Sequence, residues 1–159
     1  MRRLLLLLVL VLVPALLPSA AVGGAPTNVN GGGRGTVDGV TPFSQFGFQV
    51  SQSANGSVHG HFNCLMAGSS QFPGFTLMAV RGQVTSLSVA GGTATFEGSG
   101  TLIAQTGSPE KKFPVTFQVV VSAGGPGVGT LKLTAFAPSP FGTVALPVEE
   151  VLEGHIAVG

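Results

Sequence analysis

The 159-residue sequence contains no tryptophan, no tyrosine and one cysteine, and only 8% of its residues are charged. A single cysteine excludes a disulfide-stabilised scaffold, which needs paired cysteines. Low charge combined with 44% hydrophobic residues excludes an intrinsically disordered chain. Carbohydrate-binding modules usually present Trp or Tyr platforms, and the sequence can supply neither.

Catalytic motifs are missing as well. The sequence has no Gly-x-Ser-x-Gly elbow and no P-loop, and the glycine-rich segment 31–35 does not open a helix, which argues against a phosphate cradle. Glu149 and Glu150 are consecutive, so on a strand they point to opposite faces and cannot act as a pair. A carboxylate pair would have to form through tertiary approach, for example Glu97 with Glu153. We therefore expect no enzyme activity, no catalytic residues and no cofactor.

The N-terminus has the pattern of a secretory signal peptide. Arg2 and Arg3 precede an apolar run, Leu4–Leu17, and small residues follow it. The run is shorter than the roughly 20 residues that span a bilayer, which favours cleavage over an uncleaved anchor. We place the signal peptide at residues 1–21 and expect a secreted, extracytoplasmic protein with no membrane span after cleavage.

Cleavage also changes the charge balance. The sequence as a whole carries a formal charge of +1, but residues 1–21 include two of its seven cationic side chains and none of its six anionic ones. The remaining chain therefore has a net charge of −1, with five scattered cations. Because binding to phosphates needs a basic patch, we expect no nucleic-acid partner.

Alternation of apolar and polar residues predicts β-strands in most of the remaining chain. Asn55-Gly56 and Gly91-Gly92 are typical hairpin turns. We interpret residues 22–33 as a flexible lead and residues 34–159 as one domain. The predicted strands are 45–51, 57–66, 75–89, 93–105, 113–123, about 131–135 and 151–158. The predicted turns and loops are 106–112, 124–127 and a proline-containing loop at 137–147.

These segments favour an all-β fold, a small antiparallel β-barrel of about eight strands, with a β-sandwich as the alternative. Glycines at predicted inward positions permit bending and close approach of backbones, which suits closure into a barrel. These inward glycines are Gly60, Gly98, Gly100 and Gly154. In the last strand we expect an inward face made of Leu152, Gly154, Ile156 and Val158.

Several of these segments also carry a family resemblance. They are Gly31-Gly32-Gly33, Phe46-Gly47-Phe48, Gly60-His61-Phe62, residues 93–100 and residues 152–156, in that order. The chain resembles an uncharacterised family of secreted bacterial Gly/Phe-patterned β-domains, found alone or appended to larger extracellular proteins. The resemblance covers about Gly31 to Gly159 and implies secretion and a β-fold, but no activity. Relatives tend to carry acidic residues near the penultimate hairpin, where this chain has the uncharged segment 122–129.

Two imidazoles give a weak candidate for a metal site. His59 and His61 lie at i and i+2 on one strand face, about 7 Å apart. They could chelate zinc or copper if His155 or Glu153 supplied a third ligand from another strand. The alternative is a solvated polar face, which we favour, so we predict no metal.

Cys64 shares a predicted face with Phe62 and Met66, which indicates a buried, inert thiol. The alternative for a lone cysteine in a secreted protein is a disulfide between chains.

Two functional interpretations remain. The first is a secreted, non-catalytic β-domain, a monomeric surface, extracellular interaction or structural module whose partner is an extracellular protein or surface component. The second is a lipocalin-like barrel that binds a small hydrophobic ligand inside, with an enzyme that uses His59, His61 and Glu97 as its weaker variant. The apolar segments 72–75 and 138–141 would rim the mouth of such a barrel, or plug its ends. An enclosed apolar cavity of about 300 Å³ or more would favour the second interpretation.

Overall fold

A computed structural model describes residues 25–67, 76–105, 109–139 and 141–159. The predicted signal peptide, and Phe72 and Phe75, lie outside these residues. The described regular structure is β-strand. The nine strands are β1 (Thr27–Thr36), β2 (Pro42–Gln52), β3 (Val58–Ala67), β4 (Leu77–Ala90), β5 (Thr93–Gln105), β6 (Lys111–Ser122), β7 (Thr130–Phe136), β8 (Thr143–Ala145) and β9 (Glu149–Val158).

The strands form one sheet that closes into a ring. Its order runs from β6 through β5, β4, β3, β2 and β1 to β9 and β7, and β7 also pairs with β6. Neighbouring strands are antiparallel. The short β8 pairs with β7. The prediction of an antiparallel barrel of about eight strands is confirmed.

The glycine-rich segment after β6 completes the ring. Gly124 and Ile156 exchange two backbone hydrogen bonds of 2.9 Å. Gly127 donates to the carbonyl of Val151, whose own amide donates to the carbonyl of Gly129. Residues 124–129 thus act as the hydrogen-bonding neighbour of β9 where β7 does not reach it.

The sequence prediction is wrong at residues 27–33, which belong to β1 and not to a flexible lead. This strand is hydrogen-bonded to β2 on one side and to β9 on the other. The glycine run suggested flexibility, but Gly31 faces inward. A Cβ there would lie 2.6 Å from Cζ of Phe48, so packing and not mobility explains this glycine. A second correction is β8, which lies inside the predicted loop 137–147.

Phenylalanine rings fill the middle of the barrel. Four ring contacts have centroid distances between 5.2 and 6.2 Å. They link Phe46, Phe48, Phe96, Phe62 and Phe117 into one chain of rings, each at most 4% exposed. Inward glycines give these rings their space, since a Cβ at Gly98 or Gly82 would lie 2.6 or 2.7 Å from the ring of Phe117.

A bulge in β9 changes which side chains face inward. Arg34 of β1 pairs with Glu153, but the next residue of β1 pairs with Val151, so Leu152 is the extra residue. The predicted inward face therefore holds for Ile156 and Val158, which pack on the core. It is wrong for Leu152, the extra residue, whereas Gly154 stays opposite Gly33 in the phase of Ile156, although it is exposed. Beyond the bulge, Val151 and Glu149 turn inward instead.

Candidate functional site

A few glycines on the outer face are not required by the fold. Most described glycines have a positive φ or would bring an added Cβ within 3.0 Å of a neighbouring atom. Among the described residues, four glycines show neither constraint: Gly32, Gly47, Gly125 and the terminal Gly159. At Gly47 an added Cβ would meet nothing within 4 Å, and at Gly32 its nearest neighbour would be 3.7 Å away.

Three of these glycines lie in one row across the outer face. Gly47 of β2 pairs with Gly32 of β1, and Gly32 pairs with His155 of β9. On the far side of His155, a Cβ at Gly125 would lie 3.7 Å from Nδ1 of the imidazole. Gly47, Gly32, His155 and Gly125 are distant in sequence but follow one another in this order across the outer face.

We call the depression at this place the glycine pit. Its floor is formed by Gly32 and Gly47, and the open cleft above it has a volume of about 760 Å³. Its polar rim consists of Asn30, Gln49, His61, Asn63 and His155. Oδ1 of Asn63 is shielded from solvent and has no hydrogen-bond partner. The fold therefore leaves the bonding capacity of this atom unused but also shields the atom from the open cleft.

The pit rim carries no permanently charged side chain. Its side chains are carboxamides and imidazoles, and no carboxylate, ammonium or guanidinium group is among the residues that line it. The nearest ion pair is Arg34 with Glu153, at 3.6 Å, and both side chains are more than half exposed. Because these two charges are paired with each other, the pit has no fixed counter-charge for an ionic ligand.

The structure does not bring the predicted metal candidates together. His59 and His61 are exposed on the outer face of β3, as predicted. His61 pairs with Gln49 of β2, and β1 lies between β2 and β9. The backbone of His61 is therefore three strand spacings, about 14 Å, from β9. His155 therefore lies on the opposite side of the pit from His61. Within the described ranges, no group of three or more His, Cys, Asp or Glu side chains could hold a metal ion.

The two carboxylates named as a possible pair, Glu97 and Glu153, lie on strands that are not neighbours. Glu97, on β5, accepts a hydrogen bond of 2.9 Å from Nε2 of Gln118. Glu153, on β9, faces Arg34, and β6 and β7 lie between the two carboxylates on the shorter path around the ring. The geometry therefore provides no acid and base flanking a common substrate position.

A buried carboxyl inside the barrel escaped sequence analysis. Glu149 is 0% exposed, the hydroxyl of Ser44 donates to its Oε2, and its Oε1 has no partner. Gly35 makes room for the group, because an added Cβ would collide with the carboxylate. Burial raises the pKa of Glu149 to about 7, and the Ser44 hydrogen bond opposes this shift.

Ser44, Phe46 and Phe48 are alternate residues of β2, and all three face inward. The inward position of Ser44 can therefore be predicted from the sequence. The inward turn of Glu149 depends on the β9 bulge, for which the sequence has no clear signal.

The prediction of a buried Cys64 is confirmed, since this free thiol is 0% exposed. Burial, with a smaller contribution from the charge of Glu149, raises the pKa of Cys64 to about 12, and a hydrogen bond with Ser44 acts in the opposite direction. A thiol with so high a pKa is a poor nucleophile. A disulfide to a second chain would require the core to open.

No helix in the described part of the chain is long and apolar enough to cross a membrane. In comparisons with known proteins, no family model, no curated protein and no solved structure matches this chain.

Proposed function

We propose that this protein is a secreted, non-catalytic β-domain that binds an extracellular surface component through the glycine pit. The observation that carries the proposal is the line that Gly47, Gly32, His155 and Gly125 form across the outer face, with Gly47 and Gly32 as the floor of the pit. These glycines are the described internal ones that the fold does not require, and they lie together on the outer face.

The energetic argument concerns what glycine costs in a strand. Glycine in a strand interior is less stable than alanine by roughly 0.5–1 kcal/mol. At an inward position such as Gly98 the core needs that missing side chain, but at Gly47 the space is open. A glycine retained in a strand without a packing reason is typical of a place where another molecule approaches the backbone closely.

The packing of the interior supports an external site over the lipocalin-like alternative. The rings of Phe48, Phe62 and Phe96 contact one another at the centre, where a ligand would have to lie. An eight-stranded barrel is just wide enough for its own side chains to fill it or to hold one small ligand. Here side chains occupy that volume.

The distribution of polar groups supports a non-catalytic role. Glu149 has a pKa suited to proton transfer at neutral pH, but it is fully buried and hydrogen-bonded to Ser44. The imidazoles of the pit lie on the other side of the barrel wall. A ligand in the pit would therefore meet imidazoles but no carboxyl group that could act with them as an acid–base pair.

Cosedimentation tests this proposal. The purified secreted protein is mixed with the insoluble cell envelope and extracellular matrix of the producing cells, beside the variants Gly47→Val and Ser88→Val. Ser88 is exposed on β4, so valine there adds similar bulk to the outer face away from the pit. We expect Gly47→Val to lose binding and Ser88→Val to retain it. Equal binding by all three proteins, or no binding at all, would overturn the proposal.

Native mass spectrometry of the secreted protein tests the alternative. A monomer with the mass of the polypeptide alone is expected from the filled interior. Retention of one apolar molecule per chain would favour the lipocalin-like function instead.

A further inference from the structure

We propose that the start of β9 is a pH-sensitive flap, which lifts away from the end of the barrel when Glu149 loses its proton. This inference goes beyond the proposed function and does not depend on it, because Glu149 lies inside the barrel and the glycine pit lies on the outer face. Three features support it: a carboxyl group in the core with an unbonded oxygen, surroundings without a counter-charge, and an interrupted strand directly before Glu149.

The carboxyl group is held in the core by one side-chain hydrogen bond. Glu149 is 0% exposed, its Oε2 accepts the hydroxyl of Ser44, and its Oε1 is shielded from solvent without a partner. Burying an oxygen without a partner costs far more free energy when the group is ionised than when it is neutral. The buried position therefore favours the protonated carboxyl, and the raised pKa of Glu149, about 7, agrees with this geometry.

No cation compensates the ionised carboxylate from the strands packed against it. The inward residues that face it are Gly35 of β1, Ser44 of β2, Cys64 of β3 and Leu131 of β7. Among them the thiol of Cys64 is the group that titrates, and its pKa of about 12 keeps it neutral. In the described part of the chain, every Lys, Arg and His residue is exposed, and so is every acidic residue except Glu149.

The strand is interrupted directly before the buried carboxyl. β8 ends at Ala145, and β9 begins at Glu149. Pro147 and Val148 lie between the two strands and are exposed. Proline has no amide hydrogen to donate to a neighbouring strand. The chain on the N-terminal side of Glu149 is therefore free to change direction without breaking a regular strand.

Two backbone hydrogen bonds mark the limits of the movement. The amide of Leu146 donates to the carbonyl of Leu133 at 2.9 Å, and the amide of Val151 donates to the carbonyl of Gly129 at 2.8 Å. We call residues 147–150, which lie between these bonds, the β9 flap. The flap pairs with β7 at two positions and with β1 at one. Lifting it would hydrate the carboxylate at the loss of these three pairings, while β9 from Val151 onward stays in the sheet.

The direction of the pH effect follows from the two pKa values of Glu149. In the open form the carboxyl is hydrated and its pKa returns to near 4.5, whereas in the closed form it is about 7. The closed form binds the proton more tightly, so protonation keeps the flap closed and ionisation favours opening. Between about pH 5 and about pH 8 the population of the open form should rise on the order of 100-fold, while it stays the minor form.

The test uses Cys64, the single cysteine of the sequence, which shares the Ser44 hydroxyl with Glu149. The thiol of the secreted protein is labelled with dithiodipyridine at several pH values, and each rate is divided by that of the urea-unfolded protein at the same pH. This relative rate should rise on the order of 100-fold between about pH 5 and about pH 8. Glu149→Gln should abolish the rise, whereas Glu150→Gln, which removes the exposed neighbouring carboxylate, should leave it unchanged.

Urea distinguishes the flap from unfolding of the whole domain. Up to about 1 M urea the labelling rate should change less than about twofold if the flap opens, whereas global unfolding would raise it at least about fivefold. Ser44→Ala gives a second variant, because loss of the hydroxyl that lowers the pKa of Glu149 should move the rise to higher pH.

Three results would overturn the proposal. They are a relative labelling rate that does not depend on pH, the wild-type pH dependence in Glu149→Gln, and the full urea dependence of global unfolding. If Glu149→Gln does not fold, an unchanged pH dependence in Ser44→Ala would overturn it instead.

Discussion

Gly31 and Gly32 are neighbours in β1, but they face opposite sides of the barrel wall. Gly31 faces inward, where a methyl group would lie 2.6 Å from the ring of Phe48. Gly32 faces outward beside Gly47 and His155, with no atom closer than 3.7 Å to the same methyl group. The inner glycine makes room for a side chain of this protein, and the outer glycine leaves an open space that we propose another molecule occupies. Residue type alone therefore does not reveal the purpose of a glycine.

The largest expected effect concerns the filled interior. Phe96→Ala should reduce the free energy of unfolding by about 3–5 kcal/mol, because it removes a fully buried ring that contacts Phe48 and Phe62. Phe136→Ala is the control, since that ring is 44% exposed. Urea unfolding measures both variants. A loss below about 1 kcal/mol for Phe96→Ala would indicate a loosely packed interior with space for a ligand.

The second effect concerns the buried carboxyl. Because the pKa of Glu149 is about 7 in the folded protein and near 4.5 when unfolded, the folded state binds the proton more tightly. Its contribution to stability is complete below pH 4.5 and is lost as the pH rises to about 7. The expected decrease is about 3 kcal/mol.

Urea unfolding at several pH values measures this decrease, and Glu149→Gln should abolish it, since a carboxamide does not titrate. The same pH dependence in wild type and variant would show that Glu149 is not the group responsible.

A smaller effect separates the two faces of β1. Gly31→Ala should cost about 1–3 kcal/mol, because the added methyl displaces the ring of Phe48. Gly32→Ala should leave stability unchanged or raise it by up to about 1 kcal/mol, since alanine restricts the unfolded chain. Thermal unfolding of the matched pair gives the comparison. Equal losses in both variants would contradict the assigned difference between the faces.

The smallest effect is expected at the rim of the pit. His155→Ala and His61→Ala should each change the free energy of unfolding by less than about 0.5 kcal/mol, because both side chains are exposed. The same variants should weaken binding to the cell envelope. A large loss of stability in His155→Ala would assign this imidazole a structural role at the closure of the ring.

The strands could be predicted because their inward positions carry large apolar side chains in strict alternation. Phe46, Phe48 and Val50 in β2 are one such series, and the structure buries all three. The N-terminal strand could not be predicted in this way, since its inward positions include Gly31 and Gly35. Their small size is explained by side chains from other strands, which the local sequence does not identify.

The pit and the buried Glu149 could not be predicted from the sequence, because both depend on how distant strands pair. Gly32, Gly47 and His155 become neighbours only through the pairing of β1 with β2 and β9. Glu149 faces inward because a bulge at Leu152 shifts the phase of β9. The resemblance to a secreted Gly/Phe-patterned family stays a prediction, as do the signal peptide and the extracellular location.

The most direct test of this account is the free energy of unfolding of the triple variant Gly32→Ala/Gly47→Ala/Gly125→Ala, measured in urea against wild type. If these outer glycines serve a ligand and not the fold, the variant should be at least as stable as wild type, by up to about 2 kcal/mol. A loss of more than about 1 kcal/mol would show that the fold itself requires them, and would contradict the account.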